Sequence, residues 1–350
     1  MSTGPAVNRP PTILDVAREA GVSKSTVSRV LDERLPTSRS ASAERVREAA
    51  ARLGYRRDRN ASALRRQHSG TVGVLVPRLT DTVMAMFFEQ FATACSRRGS
   101  FAVVATTGDS PATERAAIDR LLDQGVDGLV ATTARVDDEF TAELTARGVP
   151  IVLALRSDGT TPAATGDDVL GGYLATRHLL DLGHRRIALI AGPAFASSAA
   201  GRQAGYRQAM AEAGLTDVDD LVHPSEFSME SGEQVARAIF ARPDRPTAIF
   251  AVNDNTAVGV LAAAKSARLS VPDDVSIVGY NDVPLSARLP VPLTTVRVPF
   301  DQVAVAALDL LERVRAGDAS IDDVTITPTL IPRSSSVPVA ARREPDPDRS

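Results

Sequence analysis

The segment TILDVAREAGVSKSTVSRVL (12–31) sets Lys24, Ser25, Ser28 and Arg29 outward on a short helical stretch whose inner side carries Val27, Val30 and Leu31. An ammonium, a guanidinium and two hydroxyls on one face can donate to phosphate oxygens and base edges, or can form a solvated helix face. Other groups that might do chemistry are sparse. His178 and His184 stand six apart without a cysteine partner, so no metal site is expected, and His184 is expected to support a helix C-terminus. Cys95, the single cysteine, sits beside Arg97 and Arg98 on a helical stretch and reads as a buried or incidental thiol rather than a nucleophile. Neither a Walker A sequence nor a G-x-G-x-x-G between strand and helix occurs, and no catalytic constellation is evident, so an enzyme is not expected.

The polar face needs a scaffold, and the pattern around it supplies one. Thr12 is an expected N-cap with Asp15 three residues on, and Ile13, Val16 and Ala17 share a helical face up to Ala20. Gly21 ends that helix, Ser23 caps the next over Lys24 to Leu31, and a loop with Pro36 leads to a third helix over Ser42 to Leu53 that stops at Gly54. This is a helix-turn-helix: the glycine allows the sharp turn that lays the second helix in a major groove. Residues 57–70 hold too few apolar side chains to fold alone and read as a linker with weak helix propensity.

From Thr71 the pattern becomes strand–helix alternation. Apolar runs at 71–77, 101–106, 128–132, 150–155, 186–191, 248–253 and 275–280 are separated by helical stretches, which predicts doubly wound parallel sheets in two lobes. The 350 residues are 43% hydrophobic and 24% charged, suiting two or three globular domains. With no apolar run long enough for a membrane span and no signal-like N-terminus, a cytoplasmic protein is expected. The net charge of −3 hides an asymmetry: residues 1–69 hold 14 Lys+Arg against 7 Asp+Glu, while the remainder is acidic. A basic module on an acidic chain suits a polyanionic partner.

The 12–31 segment with RLGYR (52–56) resembles the DNA-binding headpiece of the LacI/GalR family of transcriptional regulators. The resemblance continues in family order through VDGLV (126–130), ATRHLLDLGHRRIALIAGP (175–193), GRQAGYRQAM (201–210), PTAIFAVND (246–254), VPDDVSIVGYND (271–282), PLTTVRVPF (292–300) and IPRSS (331–335). It implies an all-α helix-turn-helix headpiece joined to an α/β, two-lobed core resembling periplasmic binding proteins. The expected organisation is a disordered N-terminus over 1–11, the DNA-binding domain over 12–56, a hinge helix over 57–70, an effector-binding and dimerisation core over 71–333, and a disordered tail over 334–350.

The resemblance assigns base contacts to Lys24, Ser25 and Arg29, and backbone contacts to Ser23, Thr26 and Ser28, with N-capping as a further role for Ser23. In the hinge it places Ala61 and Leu64 in the minor groove, Leu64 as a wedge; Arg57 and Asn60 depart from the family's proline and apolar residue there. For the effector it implies Arg202, Asn253, Asn281, Phe227, Phe300, Asp167 and Phe87, with core packing as the alternative for Phe227 and Phe300. Leu155 stands where some sugar-binding members carry aspartate, next to Arg156, and Asn281 stands where many carry aspartate. The implied protein is a homodimeric repressor on pseudo-palindromic operator DNA. A small molecule between the lobes, a sugar or sugar derivative with a nucleobase as alternative, controls it; no cofactor, metal or membrane is involved. A free-standing binding protein and a cleft enzyme are the rival expectations.

Overall fold

The computed structural model describes residues 11–31, 36, 38–55, 69–136, 138, 140–318 and 320–339. The chain divides into two compact units, residues 1–69 and 70–350. The hinge residues Ala61 and Leu64 lie outside the described residues, as do the first ten and last eleven.

In the first unit, α1 (Ile13–Ala20) has the expected C-terminus, α2 (Lys24–Val30) ends one residue before the expected Leu31, and α3 (Ala41–Leu53) begins one residue before the expected Ser42. Thr12 and Asp15 form a reciprocal capping box, and Ser23 and Ser40 cap α2 and α3 through their side chains. Gly21 takes φ 64°, which lets the Val22 amide donate back to the Ala17 carbonyl at 3.0 Å and turns the chain sharply into α2. Val16, Val27, Val46 and Ala49 are fully buried where the three helices meet.

The second unit holds two parallel sheets. In the first lobe β1 (Thr71–Val76), β2 (Phe101–Thr106), β3 (Gly128–Ala131), β4 (Ile151–Ala154), β5 (Ala163–Gly166) and β11 (Val324–Ile326) form a six-stranded sheet in the order β11-β5-β4-β3-β1-β2. The helices α4 (Thr82–Arg97), α5 (Pro111–Asp123), α6 (Phe140–Ala146) and α11 (Phe300–Ala316) belong to this lobe. In the second lobe β6 (Ile187–Ala191), β7 (Val222–Pro224), β8 (Ala248–Ala251) and β9 (Ser276–Val278) are ordered β7-β6-β8-β9. They pack with α7 (Asp168–Asp181), α8 (Ser197–Glu212), α9 (Met229–Phe240) and α10 (Asp254–Ser266). Central strands β1, β3, β4, β6 and β8 are buried on both faces, which explains their uninterrupted apolar runs. β2 is an edge strand, and its Phe101 is exposed.

The chain passes between lobes at 166–168, 297–300 and 326–329, and two strands near these passages, β10 (Thr295–Arg297) and β12 (Thr329–Ile331), pair antiparallel. These three-residue strands are too short for a periodicity signal in the sequence. The lobes are set by topology: β5 and β11 return to the first sheet although most of the second lobe lies between them in sequence.

The expected disordered tail begins too early at 334. The Ile277 amide donates to the Ser335 carbonyl at 2.7 Å, and the Ser335 hydroxyl donates to the Ile277 carbonyl at 2.6 Å. The Val339 amide reaches the Leu182 carbonyl at 3.0 Å. This serine-rich stretch covers the open edge of β9, so its polar composition serves backbone satisfaction rather than solvation.

Candidate functional site

On the first unit, Lys24, Ser25 and Arg29 are exposed along α2, while Thr26 and Ser28 are half-buried. The turn at Gly21 and the packing of Val27 against Val16 fix which face of α2 looks outward. The Ser23 hydroxyl accepts from the Thr26 amide at 3.1 Å and lies 2.8 Å from the Ser25 hydroxyl, so Ser23 caps the helix.

The second unit carries a cleft between its lobes, an inner cavity of about 40 Å³ beside an outer chamber of about 560 Å³ that shares Asp81, Arg156 and Phe227 with it; the outer volume suits a small ligand. Its walls are the segments that follow the carboxyl ends of the parallel strands, the position where doubly wound sheets bind ligands. Asp81 and Met84 follow β1, Leu155 and Arg156 follow β4, and Asp168 follows β5; Phe227, Asn253 and Asn281 follow β7, β8 and β9.

Arg202 forms the floor. Its Nε donates to Asp168 Oδ1 at 2.8 Å, its Nη1 to the Val252 carbonyl at 2.8 Å, and its guanidinium lies 3.8 Å from the Tyr280 ring centroid. Burial works against this charge, but Asp168 and Tyr280 outweigh it and hold Arg202 above its ordinary pKa. Close helix packing makes the pair possible: a Cβ on Gly205 would lie 2.0 Å from the Val169 carbonyl oxygen, and one on Gly172 would lie 2.1 Å from that of Arg202.

Asn253 lines the cleft and also caps α10, its side-chain oxygen accepting from the Thr256 amide at 2.8 Å. The neighbouring Asp254 faces away from the cleft. It accepts from the Val283 amide at 2.8 Å and from the hydroxyls of Ser286 and Thr295 at 2.7 and 2.6 Å, and burial pushes its carboxyl up to about 6. Through Val283 it holds the turn in which Asn281 adopts φ 101°. Leu155, across the cleft, has φ 64°, so backbone strain of about 1–3 kcal/mol per residue gathers at this site.

Arg202, Asn253, Asn281, Phe227 and Phe300 all line this cleft. Two expected residues do not. Asp167 is the N-cap of α7 and accepts from the Leu170 amide at 2.9 Å; the next residue, Asp168, faces the cleft instead. Phe87 is fully buried with its ring stacked on Phe91 at 6.0 Å, while Met84, earlier on the same helix, lines the cleft. Asp81, Met84, Asp168 and Ser198 were not expected, although the strand-end rule points at the segments holding the first three.

The two histidines serve structure. His178 Nε2 lies 2.8 Å from the Ser336 hydroxyl. His184 lies just past the α7 C-terminus, where its amide donates to the Leu179 carbonyl at 3.1 Å, and its ring is buried between the Thr247 hydroxyl at 2.9 Å and the Val337 carbonyl at 3.1 Å, both ring nitrogens used. Burial pushes the Cys95 thiol up to about 11, as an inert thiol requires. Among the described residues there is no cluster of three metal-ligating side chains and no helix long and apolar enough to cross a membrane.

A helix-turn-helix and a two-lobed α/β core with a cleft at its strand ends together define a DNA-binding transcriptional regulator with a ligand-binding core. Residues 12–58 match the family described as bacterial regulatory proteins of the lacI family, and residues 176–336 match a periplasmic binding protein-like domain. The ribose operon repressor of Escherichia coli strain K12 is 34% identical over 93% of this chain and 99% of its own. The transcriptional repressor PurR of Photobacterium profundum is 31% identical over 93% of this chain and 98% of its own. Among solved structures, the lac repressor dimer bound to operator and the anti-inducer ONPF superposes with a TM-score of 0.84 at 28% identity, covering 94% of this chain and all of that one. A CelR–cellobiose complex gives 0.72 at 30% identity, covering 93% and 99%. The chain belongs to the LacI family of bacterial transcriptional regulators.

Proposed function

We propose that this regulator is a homodimeric repressor of pseudo-palindromic operators, and that a small polyhydroxylated molecule in the interlobe cleft sets its operator affinity. The observation that carries this reading is the Arg202 floor: a buried, pre-oriented guanidinium flanked by the Asn253 and Asn281 amides, between lobes that can change their angle. Two amides beside a guanidinium offer donors and acceptors to vicinal hydroxyls, and Phe227 and Phe300 offer ring faces to a sugar's apolar side. Names of similar proteins point the same way: ribose operon repressor, and a complex with cellobiose.

On DNA, Lys24, Ser25 and Arg29 read base edges, and Ser23, Thr26 and Ser28 position the backbone. In this reading residues 12–56 are the DNA-binding domain, 57–70 the hinge whose Ala61 and Leu64 enter the minor groove, and the core beyond Thr71 binds effector and dimerises. Effector binding shifts the population of lobe angles and so the spacing of the two hinges.

Mobility-shift measurements of the full-length protein on DNA selected from randomised palindromes, with and without a sugar and nucleoside library, test this. Sequence-selective complexes that one class of compound strengthens or releases are expected. Absence of selective binding overturns the regulator mechanism, and a selective complex indifferent to every compound that binds the core overturns the effector mechanism.

A further inference from the structure

Two arginines line the cleft, and their circumstances differ. Arg202 is 7% exposed; its Nε and Nη1 are held by Asp168 and the Val252 carbonyl, and its guanidinium lies over the Tyr280 ring. Arg156 is 5% exposed, yet among the described residues its guanidinium has neither a hydrogen-bond acceptor nor a carboxylate within 4.0 Å. It rests between aromatic rings, 5.3 Å from the Phe227 centroid and 5.6 Å from that of Phe195. The nearby carboxylates are committed elsewhere. Asp81 accepts from the Val83 amide and from Asn255, Asp109 pairs with Arg78 at 2.6 Å, and Glu114 accepts from the Thr133 hydroxyl. The preceding residue, Leu155, supplies no charge.

The Arg156 guanidinium faces the two cavities that it lines, so its N–H groups are open to an acceptor that a ligand brings, and a charge in so enclosed a place gains most from an anionic one. Burial pulls Arg156 below its ordinary pKa; Asp109 opposes this from a distance and the positive charge of Arg202 adds to it. Arg156 also stands where the inner cleft opens into an outer chamber, lining both. A ligand held by its hydroxyls on the Arg202 floor would present a substituent to Arg156 as it leaves the inner cleft. A neutral hydroxyl would fill one donor site and leave the charge uncompensated. A planar carboxylate or a phosphate accepts two parallel N–H bonds and neutralises it.

We infer that the effector of this regulator is an anionic polyol, whose carboxylate or phosphate pairs with Arg156 between Phe195 and Phe227 while its hydroxyls engage the Arg202 floor. The inference rests on the proposed function, whose effector it narrows from a sugar-like molecule to a charged one.

Calorimetric titration and thermal shift of the full-length protein test it with two series: ribose, ribonate and ribose 5-phosphate; glucose, gluconate and glucose 6-phosphate. At least one anionic member should bind about tenfold or more tightly than its neutral parent. That preference should vanish in Arg156→Met and shrink in Arg156→Lys, which keeps the charge without the bidentate fork. The carboxylate and phosphate members separate the two sources of the anion. Because Arg156 lacks a protein acceptor, Arg156→Met should melt no lower than the wild type without ligand, which shows that the variant is folded. A neutral parent that binds as tightly as its anions, an anion preference that survives Arg156→Met, or no binding by any anionic member overturns the inference. A neutral sugar that binds and alters the DNA complex would do so while leaving the proposed function standing.

Discussion

Asn255 Nδ2, at the start of α10 in the second lobe, donates to Asp81 Oδ1, the N-cap of α4 in the first lobe, at 3.2 Å. This bond crosses the cleft, and it has company: the Ser157 amide donates to the Ser197 hydroxyl at 2.8 Å and the Val136 amide to the Phe195 carbonyl at 3.0 Å, both between lobes. Such ties favour the lobe angle in which the cleft is closed. Asn255→Ala should therefore weaken effector binding by about fivefold, the value of roughly 1 kcal/mol for one hydrogen bond, with little change in melting temperature. Calorimetry on the variant checks this, and unchanged affinity would show that the tie does not bias closure.

The Arg202–Asp168 pair is buried, so breaking it from one side strands a charge. Arg202→Ala should cost roughly 3–5 kcal/mol of core stability as well as effector response. The double variant Arg202→Met with Asp168→Asn should recover a large part of the stability while remaining unresponsive. Urea unfolding separates the two effects; equal stability of the single and double variants would count against a charged pair.

Gly205 has no room for a side chain, since its Cβ would meet the Val169 carbonyl at 2.0 Å. Gly205→Ala should push α7 from α8, lowering stability by about 1–3 kcal/mol and effector affinity with it, because both ends of the Arg202–Asp168 bond sit on these helices. A variant with wild-type melting and binding would refute the close packing.

Asp254 predicts a pH signature. Its folded pKa, about 6, lies above the ordinary value of 3.8, so the folded chain holds the proton more tightly than the unfolded chain does. The group therefore destabilises the fold fully above pH 6, by roughly 3 kcal/mol, and the penalty fades as pH falls towards 4. Unfolding free energy should rise between pH 7 and 4 in the wild type relative to Asp254→Asn, whose amide does not titrate. Parallel profiles for the two proteins would show that Asp254 titrates normally.

Arg29 is exposed and outside the packed interior of its unit. Arg29→Ala should leave melting unchanged and reduce discrimination between selected and scrambled DNA by about 1–3 kcal/mol. Retained discrimination in a competition mobility shift would place base reading elsewhere on α2.

What the sequence determined follows from local physics. Thr12, Gly21, Ser23 and Gly54 specify helix ends through hydrogen bonds to neighbours a few residues away, and the unbroken apolar runs of β1, β3, β4, β6 and β8 specify strands buried on both faces. The net charge of −3 likewise divides at a position visible along the chain. Only the tertiary structure decided which of two adjacent residues faces the cleft. Asp167 and Asp168 are identical in chemistry, but the first spends its carboxylate on the α7 cap and the second meets Arg202, 34 residues away. The same holds for Phe87, drawn into the core by Phe91, and for Ser335, held at the edge of β9. Arg156 shows it most directly. Its lack of a partner depends on where Asp81, Asp109 and Glu114 direct their oxygens, and those directions are set by contacts between segments far apart in the chain.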